Sequence, residues 1–341
     1  MKIRCRVLDL GPYFRSLDGL TTAMGRQARD FYSFSITVPH VRDKVDMRTY
    51  SSNAQLQLAL ERFRRNGQSI AFVPTMGNLH EGHLNLVRKA RSLCDIVVVS
   101  IFVNPLQFGP SEDLDAYPRT MAADKEKLFS EGVQVLYAPQ AQEIYPEGMV
   151  KQTQVRVPDL SETLCGSSRP GHFDGVTTVV AKLFNIVQPD MAIFGEKDFQ
   201  QLSIVRKMVR DLCMPVQIVG VATTRDEDGL AKSSRNGFLS PEQRHIAPVI
   251  HQTLNSCREA IACGFDNFLQ LESHARMKLL QAGLEPDYFA IRDANTLRPV
   301  TEDTEEIAIL AAARLGSTRL IDNVRLALNP VSDWGMLADG H

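Results

Sequence analysis

Three short polar stretches carry residue types suited to gripping a chain of phosphates. In Pro74-Thr-Met-Gly-Asn-Leu-His-Glu-Gly-His83 two imidazoles stand three residues apart, just after the apolar run Ile70 to Val73. That order reads as a strand, a turn and the start of a helix. A helix start leaves backbone N–H groups unpaired and aims the positive end of its dipole at one spot, a ready anion site. Positions i and i+3 share its first turn, and Gly77 and Gly82 allow a ligand close to the backbone. Two other readings of the histidines stay open. They could bind a metal, although the pattern is not H-E-x-x-H and a third ligand at useful spacing is missing. They could equally be satisfied by local hydrogen bonds.

The second stretch, Gly195-Glu-Lys-Asp198, follows the apolar run Met191 to Phe194, and Gln200 and Gln201 come directly after it. Charged groups at the C-terminal end of a parallel strand lie where open α/β sheets bind ligands; a solvated turn is the plainer alternative. Gln107, in the loop after the second strand, would meet them at the same sheet edge. The third stretch, Lys232-Ser-Ser-Arg235, follows the acidic turn Arg225-Asp-Glu-Asp-Gly229. Hydroxyls and cations in one loop suit a phosphate chain whose charge shifts during reaction, although a merely flexible loop would look similar.

These stretches need a frame to hold them. Residues 96–103, Ile-Val-Val-Val-Ser-Ile-Phe-Val, form a continuous β-branched run of the kind found in parallel strands covered on both faces. Helices are expected over 80–93 and from about 120 to 131, with a third strand over 133–138. A short alternating piece (154–157), a turn-rich segment (166–175), a helix (177–187), a helix (199–212) and a strand (216–222) follow. The alternation predicts an α/β fold with a Rossmann-like, doubly wound parallel sheet. From 241 to 283 the pattern is helical, and from 287 to 324 it alternates short strands with turns. A boundary near residue 223 therefore separates a main domain, 47–223, from a smaller C-terminal α/β lid, 224–328.

The chain has 341 residues, a formal charge of −2 and 44% hydrophobic residues. That balance offers no electrostatic footprint for nucleic acid or an anionic membrane and favours a small-molecule ligand. The six cysteines form no C-x-x-C pair, so free, buried thiols in a reducing, cytoplasmic setting are expected. Residues 1–46 have no apolar signal-peptide stretch and are expected to lie outside the main fold. Ser51, Ser52 and Asn53 should cap an amphipathic helix through Leu56, Leu60 and Phe63, and the tail 329–341 should fray.

Taken together, Pro74–His83, Val103–Phe108, Tyr117–Thr120, Ser168–Phe173, Phe194–Gln201 and Ser233–Gly237 resemble, in order, the pantothenate synthetases (pantoate–β-alanine ligases). That family is a branch of the nucleotidyltransferases with a His-x-Gly-His type motif. The resemblance spans roughly 47–328. It implies ATP-dependent condensation of pantoate with β-alanine through a pantoyl adenylate, with pyrophosphate and AMP released. It also implies magnesium as the companion of ATP and a homodimer. Rival readings are a nucleotidylyltransferase that transfers AMP to a phosphate-bearing substrate, a class I aminoacyl-tRNA synthetase fragment, and a catalytically silent nucleotide-binding or regulatory protein. A synthetase fragment should carry a basic tRNA-binding appendage, which is not visible; a silent relative should have lost His83, Lys197 or the paired serines.

The resemblance also implies residue roles. Met76, Gly77, Asn78, Leu79, His80, Glu81, Gly82 and His83 would line the ATP site, with His80 and His83 on the phosphates and His83 also a proton donor. Gly195, Glu196, Lys197 and Asp198 would join them, Lys197 stabilising the pentacovalent phosphorus. Ser233, Ser234 and Arg235 would hold phosphates, and Thr224 would meet adenine through its backbone. Gln107 and Gln201 would bind pantoate, whose hydroxyls and carboxylate suit amides that both donate and accept, with Asn104 shaping the pocket. There is no dedicated metal cage; Asp124 or Asp198 would lie near ATP-bound magnesium. Arg169 and His172 are candidate lid or substrate-side residues. Lys232 replaces the apolar residue common in the family, and its side chain is expected in solvent.

Overall fold

The computed structural model describes residues 46–109, 114–115 and 117–328. The expectations for 1–45 and for the tail 329–341 lie outside them. The described residues all fall within one compact unit.

Among the described residues a six-stranded parallel sheet runs in the order β1-β4-β3-β2-β5-β6. Its strands are β1 Arg48–Tyr50, β2 Ile70–Thr75, β3 Ile96–Ile101, β4 Val135–Tyr137, β5 Met191–Gly195 and β6 Gln217–Val221. Every residue of β3 is buried, as a strand covered on both faces requires. Phe72, Val98 and Tyr137 face one layer of the core, while Ala71, Val73, Val97 and Val99 face the other. The covering helices are α1 Asn53–Arg65, α2 Glu81–Leu93, α3 Met121–Ser130, α4 Ala141–Ile144, α5 Cys165–Ser168, α6 His172–Val187 and α7 Phe199–Asp211. The strand order reverses between β2 and β5, which pair directly, and a crevice opens at their C-terminal ends.

Several local expectations change. Strand β1 is unforeseen: three residues, mostly exposed, carry no apolar pattern. Residues 154–157 form no strand. Ser52 occupies the N-cap of α1 but makes no side-chain cap bond; the Asn53 N–H donates instead to Glu143 Oε1. Helix α6 begins at His172, inside the segment read as turns, because Gly175 is a contact glycine: a Cβ there would lie 2.3 Å from the Leu106 carbonyl oxygen. The missing side chain lets the helix touch the short 3₁₀ turn Pro105–Gln107.

Beyond β6 come α8 Pro241–Ile246, α9 Val249–Ala262 and α10 Phe268–Gln281, then an antiparallel sheet of β7 Glu285–Asp293, β8 Glu306–Leu315 and β9 Thr318–Ala327. These strands are longer than the sequence suggested, because β8 is covered on both faces and so shows no alternation. Its odd residues Ile307, Ile309, Ala311 and Ala313 pack in the core with α9 and α10, whereas Ala308 and Leu310 join the core of the parallel sheet.

Candidate active site

A cavity of about 230 Å³ occupies the crevice beyond β2 and β5. His80, His83, Gln107, Lys197, Gln201 and the Ser233–Arg235 turn line it. The three phosphate-friendly stretches and both amides therefore meet in one space.

The histidines are held by their own backbone. His80 is the N-cap of α2; its Nδ1 accepts from the Gly82 N–H at 3.1 Å, and His83 Nδ1 accepts from the His80 N–H at 3.3 Å. A ring nitrogen that accepts carries no proton, so each neutral ring has its hydrogen on Nε2 and offers that donor to the cleft it lines. Burial pushes the His80 pKa down to about 4, helped by Lys197, and the His83 pKa to about 3, helped by His80 and Lys197. Both rings are uncharged at neutral pH. His83 thus has an Nε2 hydrogen to offer to the cleft. Gly82 is required here, since a Cβ would sit 2.8 Å from the His80 ring.

The loop before them is set by Asp124, from the first turn of α3. Gly77 (φ 83°) and Asn78 (φ 49°) are consecutive left-handed residues, and the N–H groups of Asn78 and Leu79 converge on the Asp124 carboxylate at 2.9 and 2.8 Å. Thr120 Oγ1 donates to it as well, and Lys127 Nζ donates to the Leu79 carbonyl at 2.6 Å. Asp124 is fully buried with both oxygens occupied. It shapes the loop and is not open to a cation, which corrects its expected place beside magnesium.

Lys197, at the C-terminal end of β5, faces the cavity, and among the described residues no acid pairs with it. The SSR turn is tied across the cleft. Ser233 Oγ accepts from the Arg235 N–H, Ser234 Oγ donates to the Asn78 carbonyl at 3.2 Å, and Asn85 Nδ2 donates to Thr224 Oγ1 at 2.8 Å. Lys232 lines the cavity too, but its ammonium is ion-paired with Asp226, which Arg244 also holds, so it is not a solvent-directed side chain.

Met76, Gly82, Gly195, Asp198, Thr224 and Asn104 also line the cavity. Five expected ATP-site residues do not. Gly77 and Asn78 turn their loop toward Asp124, Leu79 is core, Glu81 pairs outward with Arg88, and Glu196 pairs with Arg325 at 3.1 Å. Adjacent charged residues at a helix start point in different directions, so a run of sequence overstates what one site can gather.

On the amide side, Gln107 Oε1 accepts from Asn104 Nδ2 at 3.2 Å and its Nε2 donates to Met76 Sδ at 3.0 Å. Buried Asn104 is itself held by Tyr145 and the Gly175 carbonyl. His172 Nδ1 donates to the Gln107 carbonyl at 2.7 Å and its Nε2 faces the Arg169 guanidinium at 2.9 Å. Arg169 and His172 therefore brace the Gln107 turn from behind instead of lining the cavity. Gln200 pins residues 160–165 from a buried position and leaves Gln201 to the cavity. Apolar wall residues such as Tyr117, Val179 and Leu183 were missed, because buried apolar positions look alike in sequence whether they face a cavity or a core.

The sequence model of the pantoate–beta-alanine ligase family matches residues 48–325. This chain belongs to that family. Pantothenate synthetase of Pseudomonas entomophila is 58% identical over 282 residues, covering 83% of this chain and 98% of the relative. The solved pantothenate synthetase of Thermus thermophilus is 48% identical with a TM-score of 0.76, covering 82% of this chain and 99% of its own. The Francisella tularensis pantoate–beta-alanine ligase, solved in complex with beta-gamma ATP and beta-alanine, is 33% identical with a TM-score of 0.68, covering 82% and 97%. As a pantoate–β-alanine ligase the chain joins pantoate to β-alanine at the expense of ATP. Among the described residues no helix is long and apolar enough to cross a membrane.

Proposed function

We propose that the ligation runs in two half-reactions within the single cleft. The carboxylate of pantoate attacks the α-phosphorus of ATP, forming the acyl–phosphate bond as the bond to pyrophosphate breaks. The neutral amine of β-alanine then attacks the acyl carbon, forming the amide as AMP leaves and the nitrogen gives up one of its two protons. No side-chain nucleophile is needed, since the substrate carboxylate attacks. Catalysis rests on positioning and on stabilising charge around phosphorus. The observation that carries this reading is a pair of neutral, tautomer-fixed imidazole donors sharing one cavity with the Lys197 ammonium and the Ser233–Arg235 turn.

In this reading His80 and His83 donate to the phosphate chain, and Lys197 meets the charge that builds on the α-phosphorus. Ser233, Ser234 and Arg235 hold the phosphates, Met76, Gly82, Gly195 and Thr224 border the nucleotide, and Lys232 borders it while tethered to Asp226. Gln107 and Gln201 take the hydroxyls and carboxylate of pantoate. Asp198 is the single acid among the described lining residues. One carboxylate fits magnesium, which binds through few protein groups when a nucleotide supplies phosphates. Asp198 would hold the ion, whose chemistry is neutralisation of phosphate charge. Residues 224–328 act as a lid that keeps water from the acyl adenylate. The family resemblance supports a cytoplasmic homodimer.

The test supplies ATP and pantoate with and without β-alanine. Pyrophosphate exchange that needs only pantoate, with AMP release that needs β-alanine, is the expected pattern. AMP transfer to a different acceptor would sink the assignment.

A further inference from the structure

Strand β9 separates its neighbours by parity, as successive strand residues point to opposite faces. Leu320 and Val324 face the core with α9, and Asp322, in step with them, meets Arg225 and His251. The odd residues face the parallel-sheet layer: Ile321 packs on its core, Arg325 pairs with Glu196, and Asn323 lies between them. Asn323 is 7% exposed, and its Nδ2 lies 2.9 Å from both the Glu196 carbonyl and the Lys197 carbonyl. Carbonyl oxygens only accept, so the group facing them must be the amide NH₂, and each of its two hydrogens has a partner. One side chain from the far end of the chain thus grips two consecutive carbonyls of the turn that carries the Lys197 cation into the cleft.

We infer that Asn323 is a positioning residue for Lys197: its two hydrogen bonds fix the Glu196–Asp198 turn so that the ammonium meets the reacting phosphate. This rests on the reading of Lys197 given above. At the end of β5 Gly195 pairs with Val221 of β6, and the backbone of the turn beyond it is held from β9 by Asn323. Gly195 leaves open space around its Cα, and the Glu196 side chain is drawn away to Arg325. Orientation of the Lys197 stem therefore depends on the two carbonyls flanking it. It also makes the seating of the C-terminal sheet a condition for adenylation, since one of its strands holds the cation-bearing turn in register.

A double-mutant cycle on pantoate-dependent pyrophosphate exchange tests this, with Asn323→Ala, Lys197→Ala and the pair. Asn323→Ala should lower kcat about 10- to 100-fold, as misplacing a group by about 1 Å does, with KM for pantoate unchanged. In the Lys197→Ala background the same change should cost less than about twofold, because the group it positions is gone. Equal losses in both backgrounds, or none in the parent, would overturn the inference while leaving Lys197 its role. A harmless Lys197→Ala would overturn that role and the inference with it. Should Asn323→Ala fold poorly, Asn323→Asp decides. Facing two carbonyls in a buried place, its carboxyl regains a donor only when protonated. Its exchange rate relative to the parent should climb as pH falls from about 8 to about 6, and a flat ratio would refute the proposal.

Discussion

His80 and His83 use one ring nitrogen to complete the first turn of α2 and leave the other free of that bond in the cavity they line. Each Nδ1 is committed to a backbone N–H, so protonating either ring would break a capping bond as well as bury a charge. The sign of the pH effect follows. Both folded pKa values, about 4 and about 3, lie below the ordinary 6.5. The unfolded chain therefore takes up these protons first, and stability falls as pH drops from about 6.5 toward about 3 to 4. For activity, kcat/KM for ATP, which reports the free enzyme, should show no acid limb from these imidazoles above about pH 5. A limb near 6.5 that disappears in His83→Gln would contradict the fixed neutral tautomer. His83→Ala should slow adenylation by about 10²-fold, as loss of a preorganised donor does, and raise KM for pantoate far less; an equal effect on both would place His83 elsewhere in the reaction.

At the scale of elements, the contacts that shape the site join pieces far apart in the chain. Asp124 on α3 sets the loop ahead of α2, and Gly175 on α6 seats the turn that carries Gln107. A Gly175→Ala Cβ would meet backbone atoms 2.3 to 2.7 Å away, which neither element can yield without moving apart. The variant should lose about 1–3 kcal/mol, the usual cost of overpacking, and raise KM for pantoate more than KM for ATP. Denaturant melts and steady-state kinetics check both; an unchanged KM for pantoate would separate Gln107 from the acid. This contact also shows why sequence misplaced the start of α6. A glycine-rich segment reads as turn, and the spatial reason for Gly175 lies with Leu106, about 70 residues earlier. The apolar run of β2 and the β-branched run of β3 were legible because a doubly covered strand needs no partner's identity to be recognised. The motif loops were legible through their residue types. The struts Asp124 and Asn323 were not: lone polar residues in ordinary surroundings gain their roles only when the chain folds.

Across the whole molecule, the C-terminal sheet is locked to the loop after β6 by a bidentate pair. Arg225 donates to buried Asp322 at 2.6 and 2.9 Å, and His251 stands 3.5 Å from the same carboxylate. Burial works to raise the Asp322 pKa, but His251 and Arg225 hold it below the usual range. Arg225→Met would leave an uncompensated buried carboxylate and should cost about 3–5 kcal/mol at neutral pH, read by urea unfolding. The deficit should shrink on acidification as Asp322 takes up a proton, and a pH-independent deficit would point to packing alone.

The alanines of β8 follow from the same two-sided burial. Ala308 lies beside Arg325 and Ala312 beside Ile321 in the register with β9, and Leu310 lies opposite Asn323. Small side chains there act as shims that set the gap between the two sheets. A methyl-scale gain at Ala308 or Ala312 is conservative by composition, yet it would thicken that shim and lift the gripping amide off its carbonyls. The sequence positions least marked by chemistry thereby fix the clearance at which the chemistry runs.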